Sequence, residues 1–412
     1  MAMHLSSSAQ CDMSKESSYC FGQNKSIVEK RKVRPIRILH CVHSLTAGGA
    51  ERQLRMLADI SCRYEMDAAI LCINDRGSDS VDASVKLFKS SQTTKYSTSI
   101  FLSLRKAIKE FQPDILHAWL PAPVTIPTML IATLYRIPCV WSYRNAMFFS
   151  RPLTVLEFML AWPCSSCIIS NNPIHRSSMP YRIIYKTKQG IEIRNAVSVE
   201  LRYRKVLAGE TGVSEHSVLF AGRITYQKNW QCLLRALPIV LRTYKLKVVI
   251  CGVGEDEPQL KAMADQLGLT PFVSYAGYRP NIHEVMLQSD VLVLPSWYEG
   301  MSNVFLEALA IGLPCVVSDI PANLDIIDGT GCALTFPPSS ADALAACLLE
   351  LFRSPSLRFS LAQKGREVAA QYSLERLAEG HLAAYRSILA RYSSKTGTLA
   401  NLVENLGGNV KT

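Results

Sequence analysis

Short apolar segments alternate with longer amphipathic segments through most of this chain, and this pattern limits its possible folds most strongly. The apolar segments are continuous and rich in Ile, Val and Leu, as in strands that are covered on both faces of a sheet. Strand–helix–strand alternation in both halves predicts an α/β protein with two doubly wound parallel sheets that face each other across a cleft. The predicted strands span residues 36–42, 68–73, 115–119, 138–142, 167–170, 218–221, 246–251, 272–276, 291–294 and 315–318.

The chain has 412 residues, a length that fits two such domains. The pattern is absent from the N-terminus, which is rich in Ser, Gln and Lys, and it weakens near residues 197–215, where we expect the join between the domains. The resulting division is a disordered leader (1–33), a first domain (34–200), a second domain (201–372), a terminal helix (373–392) and a flexible tail (393–412).

Positive charge is concentrated in the first half of the chain. Residues 1–200 contain 25 Lys and Arg against 15 Asp and Glu, a net charge of +10, whereas residues 201–412 contain 20 against 19. A basic half beside a neutral half suggests contact with an anionic surface, either nucleic acid or the head groups of a membrane. A solvated basic surface is the plainer alternative. No run of about 18 uncharged apolar residues predicts a membrane span.

The 13 cysteines lie mostly inside apolar segments, as free thiols do in proteins of a reducing compartment. Cys164 and Cys167 form a single C-x-x-C without a second pair, so a zinc site is not expected. The N-terminus lacks a basic start followed by an apolar segment, so no signal peptide is predicted. These features favour a cytoplasmic protein.

The most informative stretch begins where a predicted strand ends, at Leu294. Gly300 follows in a short loop, and Ser302 and Asn303 are both candidate caps for a helix that extends to about Ile311. The unpaired N–H groups at such a helix start form a binding site for an anion, and a phosphate suits it.

Two acidic residues belong to this stretch. Glu307 lies on the second turn of the helix, where its neighbours Val304, Ala308 and Ile311 are apolar, so its carboxylate requires hydrogen-bond donors. Ribose or sugar hydroxyls would supply them, and a buried structural pair with an arginine is the alternative. Glu299 lies eight positions earlier, in the loop, where its carboxylate could reach a sugar.

A second stretch supplies positive charge at the end of another predicted strand. Gly222 follows the strand, Arg223 and Lys228 lie five positions apart, and Asn229 is a candidate cap for the next helix. Cations opposite a helix start are what a departing diphosphate requires. Two solvated cations in a surface loop are the alternative interpretation.

Two pairs of glycines give weaker signals. Gly252 and Gly254 follow a strand, but Glu257 occupies the place of the third glycine, so the dinucleotide-binding fingerprint is incomplete. Gly48 and Gly49 lie between the first strand and a helix. There they would let the backbone approach a ligand, or simply allow tight packing.

Three polar residues follow predicted strands of the first half: His117 ends one strand, and Arg144 and Asn145 follow the next. This position favours a place in the cleft, although a lone histidine is more often a hydrogen-bonded structural residue. The spacing of His40, His43 and His117 does not fit a metal site, and the sequence contains no Asp-x-Asp to hold Mg²⁺ on a diphosphate. We therefore predict neither a metal nor another cofactor.

Taken together, these residues resemble the group 1 (family 4) glycosyltransferases, which are retaining enzymes with the two-domain GT-B fold. Glu299 and Glu307 match the E-x7-E motif of that family. The turn at 222–229 is similar to its G-R-x-x-x-x-K-N diphosphate site, and the loop at 46–52 is similar to its G-G-A-E-R loop. The resemblance extends over most of residues 35–392.

The resemblance implies that these residues bind or act on a nucleotide-sugar donor. Glu307 would bind the ribose and Glu299 the transferred sugar, while the amides after Gly300 would help to hold the diphosphate. The catalytic residues would be Glu299, Arg223, Lys228 and His117. The other donor contacts would be Gly48, Gly49, Arg144, Asn145, Gly222, Gly252, Gly254, Gly300, Met301, Ser302, Asn303, Val304 and Glu307.

The family also implies a reaction that retains the anomeric configuration and needs no metal, because cations and helix amides would stabilise the departing diphosphate. The acceptor would be lipid-linked or a polysaccharide, in cell-envelope glycan synthesis at the cytoplasmic face of a membrane. The terminal helix would cross back to the first domain and couple its closure to catalysis. Two positions depart from the family pattern: Trp119 stands where a second histidine is common, and Asp325 where a Glu is common.

Two alternatives belong to other functional classes. A nucleotide-sugar epimerase of the same fold would need more acid and base groups in the cleft than His117 alone. A catalytically inactive sugar-nucleotide binder is disfavoured because Arg223, Lys228, Glu299 and Glu307 are all present. A transferase is the leading interpretation, with a nucleotide sugar and a glycan acceptor as partners, possible peripheral contact of the basic half with anionic lipid, and no nucleic acid.

Overall fold

The computed structural model contains two parallel sheets with helices packed on both faces, so the predicted fold class is confirmed. It describes residues 34–45, 48–74, 81–90, 99–119, 122–144, 164–172, 190–198 and 215–407. The predicted leader and most of the predicted join between the domains lie outside these residues.

The first sheet has seven parallel strands in the order β3-β2-β1-β4-β5-β6-β7. In chain order the strands are β1 (Ile36–Val42), β2 (Met66–Cys72), β3 (Lys86–Lys89), β4 (Ile115–Trp119), β5 (Cys139–Tyr143), β6 (Cys167–Ser170) and β7 (Gly190–Glu192). One face packs against helix α1 (Gly49–Ile60). The other face packs against helices α2 (Ser99–Phe111) and α3 (Ala122–Tyr135).

The second sheet has six parallel strands in the order β10-β9-β8-β11-β12-β13. Its strands are β8 (His216–Ala221), β9 (Leu246–Cys251), β10 (Val273–Gly277), β11 (Val291–Leu294), β12 (Cys315–Ser318) and β13 (Leu334–Phe336). Its helices are α4 (Trp230–Leu241), α5 (Glu257–Gln266), α6 (Ile282–Leu287), α7 (Asn303–Ile311), α8 (Pro321–Ile327), α9 (Ala341–Arg353) and α10 (Pro355–Ala369).

The strand order of the second sheet reverses between β8 and β11. The chain moves outward from β8 through β9 to β10, and then returns to form β11 on the opposite side of β8. The loops that leave these two central strands therefore run in opposite directions and open a crevice, which is the usual place for a ligand in such sheets. Both charged stretches that the sequence singles out begin at this crevice.

The ten predicted strands are all present close to their predicted positions. Three further strands, β3, β7 and β13, were not predicted, and each lies at the edge of its sheet. Edge strands are short and need not be apolar on both faces, so they lack the continuous pattern on which the prediction depended. In β3, for example, both Lys86 and Lys89 are exposed.

The last helix, α11 (Leu374–Gly407), packs on the first domain although it follows the second in sequence. Its buried residues Leu377, Tyr385 and Ile388 join the core that contains α1 and one face of the first sheet. The helix also continues past Tyr392 to Gly407, where a flexible tail was predicted. Neither α11 nor any other described helix is long and apolar enough to cross a membrane.

Candidate active site

The loops that follow β8 and β11 are bonded directly to each other. Lys228 Nζ donates to Glu299 Oε1 at 2.5 Å, and Ser296 Oγ donates to the same oxygen at 2.7 Å. The backbone N–H of Trp297 donates to the carbonyl oxygen of Gln227 at 2.9 Å. The cationic turn (residues 222–229) and the acidic loop (residues 295–302) therefore form one surface in the crevice between β8 and β11.

Three glycines allow this arrangement of loops. Gly222 has a φ of +152°, and a Cβ there would lie 3.1 Å from Cε of Lys228. A Cβ on Gly252 would lie 1.9 Å from the carbonyl oxygen of Gly222, and one on Gly254 would lie 2.0 Å from the carbonyl oxygen of Ile224. Gly252 and Gly254, predicted as donor contacts, thus support the cationic turn through backbone packing.

Two predicted caps have different outcomes. Ser302 does cap α7, because its Oγ accepts a hydrogen bond from the N–H of Phe305. Asn229 does not cap α4: its backbone has a φ of +50°, and its side-chain amide donates to the carbonyl oxygens of Pro295 (2.9 Å) and Pro338 (2.7 Å). Asn229 instead ties the cationic turn to the loop before α7.

Glu307 is 4% exposed and pairs with a residue of the first domain. Arg52 Nη1 lies 2.6 Å from Glu307 Oε1, and His283 Nε2 lies 3.4 Å from Oε2. One turn earlier on α7, Asn303 Nδ2 donates to the carbonyl oxygen of Gly49 at 2.8 Å. A structural pair between Glu307 and an arginine, the alternative interpretation from the sequence, is therefore present. Glu307 Oε2 nevertheless accepts no hydrogen bond from any described residue.

Arg144 lies at a close approach of the two domains. A Cβ on Gly300 would lie 2.6 Å from the carbonyl oxygen of Arg144. Its guanidinium lies 4.4 Å from the centre of the Trp119 ring and donates to Asn195 Oδ1 at 2.7 Å. Burial lowers the pKa of Arg144 to about 10, so the group stays charged at neutral pH.

Two of the remaining predicted residues, Met301 and Asn303, also contact the first domain. The carbonyl oxygen of Met301 accepts from Asn195 Nδ2 at 3.3 Å, and Asn303 Oδ1 accepts from the same group at 2.6 Å. Val304 packs against the second-domain core. Asn145 lies outside the described residues.

Glu51 is a charged residue of this region that the sequence analysis did not single out. Its carboxylate folds back over Gly48, where a Cβ would lie 1.8 Å from Glu51 Oε2. Burial raises the pKa of Glu51, while the charges of Arg223 and Arg144 act in the opposite direction. Gly48 therefore leaves space for the carboxylate of Glu51, which interacts with cations of both domains. The predicted contact of Gly48 with the donor stays a prediction.

His117 is not brought to the crevice. Its side chain is 0% exposed, Nδ1 lies 2.7 Å from the hydroxyl of Tyr385, and Nε2 lies 2.8 Å from Oγ of Ser142. Burial, together with the charges of neighbouring His40 and His381, lowers the pKa of His117 well below its usual value. Both ring nitrogens are engaged in joining β4, β5 and α11, so this geometry corrects the predicted catalytic role to a structural one.

The structure therefore brings together Lys228, Glu299 and the start of α7, with Glu307 one turn further along the helix. Sequence reasoning missed the partners of Glu307. Arg52 is part of the G-G-A-E-R loop in the sequence, but the sequence does not indicate that it pairs with Glu307. His283 carried no signal, because its approach to Glu307 depends on how α6 packs beside α7. Asp325, which departs from the family pattern, pairs instead with Arg194 at 3.1 Å.

Comparison with known proteins finds glycosyltransferases among the similar sequences. The family profile of the glycosyl transferases group 1 matches residues 210–368. An uncharacterized glycosyltransferase of Methanocaldococcus jannaschii is 27% identical over 223 residues, which cover 53% of this chain and 56% of that protein. The chain thus spans about half the length of this relative.

Two further proteins match larger shares of the chain. The phosphatidyl-myo-inositol mannosyltransferase of Mycobacterium leprae is 26% identical over 300 residues, which cover 71% of this chain and 79% of that protein. The crystal structure of Anabaena HepE with UDP and glucose superposes on this chain with a TM-score of 0.69 at 16% sequence identity. The superposition covers 85% of this chain and 99% of HepE. The fold is therefore GT-B, and residues 210–368 match the model of the group 1 glycosyl transferases.

Proposed function

We propose that this protein moves a sugar from a nucleoside diphosphate onto a hydroxyl group of a lipid-linked or polysaccharide acceptor. The observation that carries the proposal is the ion pair between Lys228 and Glu299, beside the start of α7 in the crevice between β8 and β11. A cation, a carboxylate and a helix N-terminus meet there, where this class of sheet binds ligands. The UDP and glucose bound by HepE are consistent with a donor of this class.

The charges of the site fit heterolysis of the bond between the anomeric carbon and the diphosphate. As that bond breaks, negative charge gathers on the departing phosphate oxygen, and Lys228, Arg223 and the amides of α7 would stabilise it. The acceptor oxygen forms the new bond from the same face, its proton passes to the departing phosphate, and the configuration is retained. Glu299, fixed by Lys228, would orient the sugar. Because these groups supply the positive charge, we propose that no metal ion is required.

A screen of UDP-, GDP-, ADP- and dTDP-sugars tests this proposal. One of them should raise the unfolding free energy by about 2.7 kcal/mol at ~100 times its Kd. With that donor, NMR should detect release of the sugar in its original anomeric configuration, with EDTA present. Absence of stabilisation by every donor would contradict the proposal. An altered sugar on intact nucleotide would identify an epimerase, and binding without turnover an inactive binder.

We further propose that the first domain contacts anionic lipid at the cytoplasmic face of a membrane. Helix α3 contains no charged residue, and its Leu134 is 77% exposed and its Leu130 is 44% exposed. The neighbouring helix α2 exposes Arg105 and Lys106 on the same side of the sheet. Apolar side chains beside cations are typical of surfaces that bind acidic bilayers. The relative from M. leprae is named for phosphatidyl-myo-inositol, a phospholipid.

Vesicle binding tests this contact directly. The double variant Leu130→Gln/Leu134→Gln should lose about thirty-fold or more of its affinity for phosphatidylglycerol vesicles, because two inserted leucines contribute roughly 1–2 kcal/mol each. The matched control is Leu324→Gln, a similarly exposed residue of the second domain. Cosedimentation at low salt is the measurement. If the wild-type protein fails to bind, or the double variant binds equally, this surface is not the lipid contact.

A further inference from the structure

Helices α1 and α7 contact each other across the two domains through two neighbouring pairs of residues. Asn303 bonds the carbonyl oxygen of Gly49 at 2.8 Å and also accepts from Gln53 Nε2 at 3.3 Å. One turn further along both helices, Arg52 pairs with Glu307 at 2.6 Å. The acid assigned to the donor ribose is thus part of the contact that joins the domains.

The two oxygens of the Glu307 carboxylate are used differently. Oε1 is taken by Arg52, whereas Oε2 is buried and accepts no hydrogen bond from the described part of the chain. His283 lies 3.4 Å from Oε2, but its Nε2 is also 3.3 Å from Arg52 Nη2. Arginine can only donate, so Nε2 would be the acceptor in a hydrogen bond with Arg52, and the 3.4 Å contact between Nε2 and Oε2 is not a hydrogen bond. A buried carboxylate oxygen in this state requires a donor, and a ribose hydroxyl is one.

We propose that Arg52 is a positioning residue, which reaches from the first domain to fix the Glu307 carboxylate and so couples closure of the domains to binding of the donor ribose. The inference rests on the proposed function, since it assumes a nucleoside diphosphate in the crevice. Arg52 itself does not contact the donor. It orients Oε2 through its bond to Oε1, and it neutralises a carboxylate that would otherwise be buried without a counter-ion.

This coupling has a consequence that depends on the ligand. A nucleoside diphosphate engages both the cationic turn and Glu307, so it should bind more weakly when Arg52 is removed. Pyrophosphate engages the cationic turn but has no ribose, so its affinity should not depend on Arg52. A purely structural role of Arg52 in holding the domains together would weaken both ligands alike.

Calorimetric titration with UDP, GDP, ADP, dTDP and pyrophosphate tests the inference. For the tightest nucleotide, Arg52→Ala should raise the Kd about ten-fold, while the Kd of pyrophosphate should change less than two-fold, as for an interaction of roughly 1.4 kcal/mol. Arg52→Lys should fall between, because lysine cannot contact Glu307 and His283 with one planar group. Arg63→Ala, an exposed arginine of the same domain, is the control.

A double-mutant cycle completes the experiment. If Arg52 acts through Glu307, the variant Arg52→Ala/Glu307→Ala should bind the nucleotide no more weakly than Glu307→Ala alone. Additive losses, or equal losses for nucleotide and pyrophosphate, would overturn the inference and leave the proposed function intact. If neither nucleotides nor pyrophosphate bind the wild-type protein, the proposed function is overturned and this inference with it.

Discussion

Replacing Lys228 with alanine should lower the rate of sugar transfer by roughly 10²–10³-fold, the usual loss when a group that stabilises developing negative charge is removed from an enclosed site. Lys228 is the less exposed of the two cations of the turn, and its bond to Glu299 also fixes the carboxylate expected to orient the sugar. The variant therefore removes charge stabilisation and frees Glu299 together. Single-turnover rates with saturating donor measure the effect on the chemical step.

The matched control for this variant is Lys247→Ala, because Lys247 is an exposed lysine of the same domain and lies on strand β9. It should transfer sugar at the wild-type rate. A loss of less than ten-fold for Lys228→Ala, at saturating donor and with unchanged unfolding free energy, would mean that Lys228 does not face the departing group.

Substituting Gly252 with alanine should destabilise the second domain by about 3 kcal/mol, from backbone strain at a positive φ combined with a direct clash. The new Cβ would lie 1.9 Å from the carbonyl oxygen of Gly222, so the cationic turn must move. Donor affinity should fall as well, because that turn carries Lys228. Urea unfolding and nucleotide titration measure the two effects.

A second glycine, Gly268, distinguishes the effect of backbone strain from the effect of a steric clash. Gly268 also has a positive φ, +68°, but a Cβ there would meet nothing within 4 Å. Gly268→Ala should therefore cost only about 1–2 kcal/mol and leave donor affinity unchanged. If both variants lose the same stability and both bind donor normally, the packing of Gly252 against the cationic turn does not matter for the site.

The fold was predictable because its signal is local. Strands buried on both faces, such as β1 and β11, are continuous apolar segments and can be recognised without knowing their neighbours. The same holds for the Ser302 cap and for the glycine and cations that follow β8. The edge strand β3 was missed because only one face of it needs to be apolar.

The site was predictable only as far as its residues follow strand ends. That Lys228 meets Glu299 could be expected, because β8 and β11 begin the two halves of a doubly wound sheet and their loops share one crevice. That Arg52 meets Glu307 could not, since it depends on how the two domains approach each other. The contact between His117 and the hydroxyl of Tyr385 could not be expected either, because Tyr385 lies on a helix more than 200 positions away in sequence.

A crystal structure of the protein with its tightest nucleoside diphosphate would show whether a diphosphate lies between the turn after β8 and the start of α7. We expect phosphate oxygens within hydrogen-bonding distance of Lys228 Nζ and of the backbone amides after Gly300, with a ribose hydroxyl on Glu307 Oε2. A nucleotide bound elsewhere, with the bond between Lys228 and Glu299 undisturbed and Oε2 still without a donor, would contradict this expectation.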